Sequence, residues 1–283
     1  IQYHISDISE AAIEQIETHG LLKAHTSNVH LDIIDITRPK FKAGCQPHFI
    51  LAAYLFDTIP AHHIEYSQGE IKEILIKTGL SKDKLCLDTS QFPPYYMAAK
   101  EIKALIESKD KERLRLLSHR ILSCFEETYT RVPIETSTTL SEEEKQQCRN
   151  FCASLPDGEA RRFNLSFMMA ESIKALVSEL HQDGLIFVSD VGQRLEDHSP
   201  VQGLISRYNT AHFYILFFPF LRYIAQSLGA DTWITEHDKF TQDMVISKQS
   251  LPEKLKTCFN DTFNSPGFEN LETDLDKIAD LPD

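Results

Sequence analysis

The sequence lacks an apolar run long enough to cross a membrane, and it lacks an excess of basic residues. Its most apolar stretch, residues 212–225, falls short of the roughly 18 residues that a spanning helix needs and contains Pro219 and Arg222. The 29 Lys and Arg are outnumbered by 42 Asp and Glu, which gives a formal net charge of −13. Non-specific nucleic-acid binding requires the opposite balance. We therefore expect a soluble protein that binds neither membranes nor nucleic acid.

Cysteines are few and scattered. The six cysteines show no disulfide-framework spacing, and the pair Cys148 and Cys152, four residues apart on a predicted helix, has no nearby partner that would complete a zinc site. His62 and His63 are adjacent on a predicted strand, so their side chains point to opposite faces and do not chelate together. The sequence predicts free thiols, no metal and a reducing, cytoplasmic compartment.

The first 60 residues alternate between strand and helix patterns. Residues 1–6, 29–36 and 49–54 are rich in apolar or β-branched side chains, and a helix signal begins at Ser9 and ends before Gly20. Residues 185–189 form another buried strand pattern, between helix patterns at 167–181 and 213–228. The alternation predicts an α/β fold with a Rossmann-like, doubly wound and mostly parallel sheet. Because the chain opens directly in a strand, without Met or a signal peptide, we expect a further segment upstream.

The pattern changes twice along the chain, which suggests three regions. We expect the sheet core to comprise residues 1–92 and 166–248, with a β-hairpin at about 62–78 around Gln68 and Gly69. Residues 93–165 are predicted to be a helical insertion, with helices at 96–108 and 111–127, a loop near 130–139 and a helix start at Ser141. From about Gln249 to residue 283, the polar composition predicts a C-terminal tail or linker.

Three carboxylates follow three of the predicted strands. Asp7 ends the first strand, Asp35 lies near the end of the second, and Asp57 comes just after the third. A doubly wound sheet binds its ligand beyond the carboxyl ends of its strands. Asp7 could therefore accept both hydroxyls of a ribose and Asp35 an adenine amino group, with Asp57 near a reacting centre. A single Asp in such a place also commonly caps a turn, so it is the set that favours a nucleoside.

Several motifs resemble those of one methyltransferase family. Residues 49–60 are similar to its post-strand motif Asn-Glu-x-x-Asp-x-x-Pro: Asp57 and Pro60 match, whereas Ala53 replaces Asn and Tyr54 replaces Glu. Residues 5–9 resemble its ribose-binding turn, residues 190–192 its Asp-Tyr-Gly and residues 203–208 its Gly-x-Leu-x-x-Tyr. On these motifs the chain resembles the MidA-like methyltransferases, which include the mitochondrial complex I assembly methyltransferase and its bacterial homologues.

The resemblance implies a class I fold and S-adenosyl-L-methionine (SAM) as the cofactor. It implies a protein substrate or partner, with arginine as the methyl acceptor. The family's Gly-rich loop precedes the ribose-binding Asp, and no such loop stands before Asp7. The implied cofactor-binding residues are Asp7, Ile8, Asp35, Ile36 and Ala53, and the implied catalytic residues are Asp57 and Tyr54.

Other interpretations remain open. Because Ala53 and Tyr54 depart from the motif, the chain could instead be an inactive, methyltransferase-like protein-interaction module. Three strand-end carboxylates also suit a nucleotide-binding α/β protein of another family. A hydrolase built on Ser189, with His198 or His212, is disfavoured because no Gly-x-Ser-x-Gly elbow is present. Tyr95 and Tyr96 could line an acceptor cleft or pack in a loop.

Overall fold

The computed structural model describes most of the chain. The described residues are 2–20, 22, 27–42, 44–80, 104–105, 107–110, 112, 125–156, 160–194, 205–208, 211–235 and 241–263. Their strands are β1 (Tyr3–Asp7), β2 (Val29–Ile33), β3 (Phe49–Ala53), β4 (His62–Ser67), β5 (Glu70–Leu80), β6 (Phe125–Pro133), β7 (Arg161–Leu165), β8 (Leu185–Gln193), β9 (Ile205–Tyr208), β10 (Ala211–Tyr214), β11 (Leu216–Phe217), β12 (Asp231–Ile234) and β13 (Thr241–Ser247). Their helices are α1 (Glu10–His19), α2 (Glu142–Ser154), α3 (Phe167–Glu179), α4 (Phe218–Ser227) and α5 (Glu253–Phe263).

The chain divides into two compact units. The first, here called the core unit, comprises Ile1–Ile59, Ser166–Leu195 and Leu216–Asp283. The second, here called the hairpin unit, comprises Pro60–Leu165 and Glu196–Ile215. After β3 the chain passes from the core unit to the hairpin unit at Pro60. The β4–β5 hairpin therefore lies in the hairpin unit, although it was predicted to belong to the core of residues 1–92.

The core unit confirms the predicted α/β class. Strands β1 and β2 pair in parallel, with α1 between them in sequence. In the larger sheet, β8 pairs in parallel with β3 and then with β11 along one edge, and antiparallel with β13 on the other, while β12 extends the sheet beyond β13. The sheet is thus mixed, with its antiparallel strands at the β12–β13 end.

The core of this unit lies on both faces of β8. On one face Ile186 and Val188 are fully buried, and helix α4 packs against α3, β12 and β13. On the other face Phe187 packs against a cluster of Trp233, Val245 and Leu251. Burial of such side chains, each worth about 1.5–3 kcal/mol, is the main force that holds the sheet and its helices together.

Two predictions for the core unit were wrong. Residues 213–228 do not form one helix: they continue β10, form β11 and enter α4 only at Phe218, where Pro219 in the first turn favours a helix start. A continuous apolar run does not by itself separate strand from helix. Nor is the region from Gln249 a tail throughout, because α5 packs Phe259 against Trp233 with ring centroids 5.2 Å apart.

The hairpin unit is built on an antiparallel sheet in the order β6–β5–β4–β7. Gln68 and Gly69 form the turn between β4 and β5 and both have positive φ, 52° and 80°, as a tight hairpin turn requires. Strands β9 and β10 form a separate antiparallel pair. Among its buried side chains are Ile64, Ile74, Ile134, Phe151 and Phe163.

The predicted helical insertion was wrong where β6 and β7 lie. Residues 125–133, predicted as the end of a helix and part of a loop, form β6, which pairs with β5 from Lys72 to Leu80, and residues 161–165 form β7 beside β4. The β-branched residues Thr128, Thr130 and Val132 suit this pairing. Ala104, Leu105, Glu107 and Ser108 are helical, whereas most of the remaining predicted helices lie outside the described residues.

Helix α2 begins with a reciprocal cap. The Ser141 hydroxyl accepts a hydrogen bond from the Glu144 N–H, and the Glu144 carboxylate accepts one from the Ser141 N–H at 2.8 Å.

No helix in the part of the chain that the structure describes is long and apolar enough to cross a membrane.

Replacing Ser141 by alanine is expected to destabilise the hairpin unit by about 1 kcal/mol, because the cap loses a hydrogen-bond acceptor for the first turn. Urea unfolding followed by circular dichroism measures the change. Thr138→Ala, on an exposed residue just before the helix, is the matched control. Equal losses in both variants would contradict the role of the cap.

Candidate functional site

The chain turns sharply where β3 ends. Tyr54 follows Ala53 with a φ of +50°, a left-handed conformation that costs a non-glycine residue energy, and residues Phe56–Thr58 form one 3-10 turn. The Tyr54 N–H still donates to the Ser189 carbonyl at 2.9 Å, whereas its side chain is 61% exposed. Its hydroxyl lies 3.4 Å from the Thr241 hydroxyl. The turn thus projects an aromatic side chain at the carboxyl end of the strand.

A buried carboxylate from β8 holds this turn. Asp190 is fully buried, and its Oδ2 accepts hydrogen bonds from the backbone N–H groups of Leu55, Phe56 and Asp57 at 3.0, 2.8 and 3.3 Å. Its Oδ1 accepts from the Val191 N–H at 2.8 Å. Four backbone donors therefore replace the water that this carboxylate loses on burial.

Asp57 is the second buried carboxylate of the site. It is 7% exposed, and among the described residues its Oδ1 has no hydrogen-bond partner. Burial raises the pKa of Asp57, against the opposing effect of its own N–H and that of Thr58. Burial, and then the charge of Asp57, raise the pKa of Asp190 to about 6. Because buried polar atoms are nearly always hydrogen-bonded in folded proteins, the unpartnered oxygen is an acceptor that a ligand or a water can fill.

Asp7 and Asp35 lie together at one end of the β1–β2 pair. Asp7 is opposite Ile33 in the parallel register, and its Oδ1 accepts from the Ser9 N–H at 2.7 Å. The Oδ1 of Asp35 accepts from the N–H and hydroxyl of Thr37 at 2.9 and 2.7 Å, and these bonds lower the pKa of Asp35. Within the described residues, Oδ2 of both carboxylates has no hydrogen-bond partner. Each side chain thus fixes its own turn with one oxygen.

The predicted site residues therefore form two groups in the core unit. Asp7 ends β1 and Ile8 follows it, Asp35 and Ile36 follow β2, and Ile8 is 65% exposed. Ala53, Tyr54 and Asp57 form the second group at the end of β3. Their roles toward a ligand stay predictions. The sequence motif drew attention to Asp190 but not to its part in the site, which depends on backbone contacts made across the fold.

Other candidate residues have structural partners or lie outside the description. His62 bonds Glu73 at 2.8 Å and His63 bonds Asn164 at 2.5 Å. Over the described ranges, no group of three or more His, Cys, Asp or Glu side chains is placed to hold a metal ion. The predicted candidates outside the described residues are Tyr95, Tyr96, His198, Gly203 and Leu204.

No protein-family model matches the chain, and no curated protein matches it. Among solved structures it is similar to a superfamily member from Burkholderia thailandensis, described as a "likely methyl transferase" and bound to S-adenosyl-homocysteine. The match has 12% sequence identity and a TM-score of 0.47, and it covers 87% of this chain. The chain spans 64% of the length of that structure. A similarity of this extent does not establish a family.

Proposed function

We propose that the chain binds SAM in the core unit, at the carboxyl ends of β1, β2 and β3, and transfers its methyl group to a protein side chain. The unpartnered, buried Oδ1 of Asp57 carries the proposal, since it is an acceptor without a donor beside an exposed, strained Tyr54. Ligand sites of α/β sheets lie beyond the carboxyl ends of parallel strands, where this turn is found.

The free oxygens of Asp7 and Asp35 fit the nucleoside part of the cofactor. A carboxylate such as Asp7 suits a ribose, whose hydroxyls are donors, and Asp35 suits the adenine amino group. Ile8 and Ile36 supply apolar surface next to these acceptors, and Ala53 leaves room near the turn. These residues bind and orient, and orientation supplies much of the acceleration in a reaction with a good leaving group.

Asp57 is suited to a cationic methyl acceptor. When bound, SAM supplies a methyl group on a sulfonium sulfur. A guanidinium N–H can donate to the Asp57 carboxylate, which orients the nitrogen and receives its proton as the new carbon–nitrogen bond forms and the carbon–sulfur bond breaks. The raised pKa of Asp57 makes it a better proton acceptor than an ordinary carboxylate. Arginine is the acceptor that we propose.

An inactive interaction module is the second candidate. Tyr54 is 61% exposed, and Phe49 and Leu51 on the preceding strand β3 are 59% and 61% exposed. Large exposed apolar side chains on a strand, followed by an exposed tyrosine, favour contact with another protein. This candidate predicts that the chain binds a partner protein but transfers no methyl group.

Replacing Asp7 by alanine is expected to weaken binding of S-adenosyl-homocysteine, the product of the reaction, by about 1.5–3 kcal/mol, the range for hydrogen bonds to a charged group. Asp7→Asn retains an acceptor for Ser9, so it separates loss of the turn from loss of the ligand contact. Equilibrium titration measures the dissociation constants, with Asp261→Ala, an exposed residue of α5, as the control. Unchanged affinity in Asp7→Ala would remove the ribose assignment.

A further inference from the structure

The edge of β8 is shared by two strands, and Asp190 lies at the break between them. Strand β3 pairs with β8 as far as Ala53 opposite Ser189, and β11 takes up the pairing at Gly192. Between these points the chain leaves the sheet through the Tyr54–Asp57 turn. The N–H groups that would continue a strand point instead at one carboxylate oxygen.

Three successive N–H groups that converge on one point form a small anion-binding concavity. Here the Asp190 carboxylate occupies this concavity. It accepts the hydrogen bonds that a bound anion accepts in other loops. The oxygen that receives these three bonds is 2.8 to 3.3 Å from their nitrogens. Because Asp190 is itself anchored by the Val191 N–H and is fully buried, it has little freedom to move.

We propose that Asp190 is a positioning residue. Its carboxylate binds the backbone N–H groups of the Tyr54–Asp57 turn and thereby orients the unpartnered oxygen of Asp57 toward the ligand. It has no contact with the ligand in this role. The orientation of Asp57 toward a ligand rests on the proposed function, whereas the binding of the turn by Asp190 does not.

The contact between Asp190 and the turn can be measured through the ionisation of Asp190. Asp57 is the titratable group on the turn whose charge acts on Asp190, and neutral Gln242 lies opposite Asp190 on β13. An amide that donates to a carboxylate changes its chemical shift when the carboxylate ionises. The amides of Leu55 and Phe56, which donate to the same oxygen, must therefore report the same ionisation, whereas the Asp57 amide also responds to its own carboxylate.

The first test follows backbone amide shifts by two-dimensional NMR while the pH is varied. In the wild-type protein we expect the amides of Leu55 and Phe56 to titrate together with a midpoint near 6. In Asp57→Asn the midpoint should fall, because a neighbouring negative charge is gone. In Asp190→Asn the shared titration should disappear. Independent midpoints in the wild type, or an unaltered titration in Asp190→Asn, would overturn the proposal.

The second test measures S-adenosyl-homocysteine affinity in the same proteins. Asp190→Asn is expected to bind about tenfold more weakly. A neutral amide replaces the charged acceptor, and its NH2 group is a donor that cannot accept from a backbone N–H. Wild-type affinity in a folded Asp190→Asn would overturn the positioning role. If the wild type binds no S-adenosyl-homocysteine but the amides of Leu55 and Phe56 titrate together, the proposed function fails while the contact of Asp190 with the turn stands.

Discussion

Removal of the Glu73 side chain is expected to destabilise the hairpin unit by about 3 kcal/mol, the upper end of the range for hydrogen bonds to a charged group. Glu73 on β5 is 2% exposed. Its carboxylate accepts hydrogen bonds from His62 at 2.8 Å, from the Thr139 hydroxyl at 2.6 Å and from the Ser137 hydroxyl. In Glu73→Ala these three donors, of which Ser137 is buried, lose their common acceptor. Urea unfolding at pH 7 measures the loss, and Glu126→Gln, on an exposed residue of β6, is the control.

The same carboxylate predicts how stability depends on pH. Burial alone would raise the pKa of Glu73, but hydrogen bonds from His62, Ser137 and Thr139 outweigh it and lower the pKa from 4.5 to about 2. A depressed pKa adds stability above the unfolded value and loses it as the pH falls, so about 3 kcal/mol should be lost between pH 4.5 and 2. Glu73→Gln should lack this part of the pH dependence. An identical acid transition in both proteins would contradict it.

Replacing Gly192 by alanine is expected to destabilise the core unit by about 3 kcal/mol, the upper end of the usual cost of overpacking. A Cβ at Gly192 would lie 2.2 and 2.4 Å from two ring carbons of Phe218, which is fully buried at the start of α4. Thermal and urea unfolding measure the effect.

Two further variants separate this clash from the general effect of losing a glycine. Gly79→Ala on β5 introduces a Cβ with no atom within 4 Å and serves as the control. Phe218→Leu shortens the ring side chain, so a double-mutant cycle with Gly192→Ala should recover part of the loss. Additive effects of the two substitutions would show that the ring is not the cause.

Local patterns were sufficient for much of the fold. The apolar runs of β3 and β8 and the Ser141 cap are signals carried by neighbouring residues, and each element is found where its pattern lies. Strand β6 was missed because its alternation is weak, and it forms only where β5 offers a partner along its whole length. The start of α4 was missed because an apolar run suits strand and helix alike.

The residues of the candidate site likewise divide into those that local sequence indicates and those that depend on contacts between distant segments. Strand-end carboxylates are visible in the sequence because strand and carboxylate are adjacent in it, as with Asp7 and Asp57. The hold of Asp190 on the turn joins residues about 134 positions apart through backbone N–H groups, and backbone donors carry no residue-type signature. The need for glycine at position 192 likewise depends on a ring that approaches from α4.

Calorimetric titration of the protein with S-adenosyl-homocysteine, with adenosine as the matched control, tests the central claim most directly. The proposed site predicts saturable binding of S-adenosyl-homocysteine, with a dissociation constant on the order of micromolar and a binding free energy near −8 kcal/mol. Adenosine should bind more weakly because it does not reach the β3 turn. Absence of heat with S-adenosyl-homocysteine in a folded protein would contradict the SAM site and favour the interaction module.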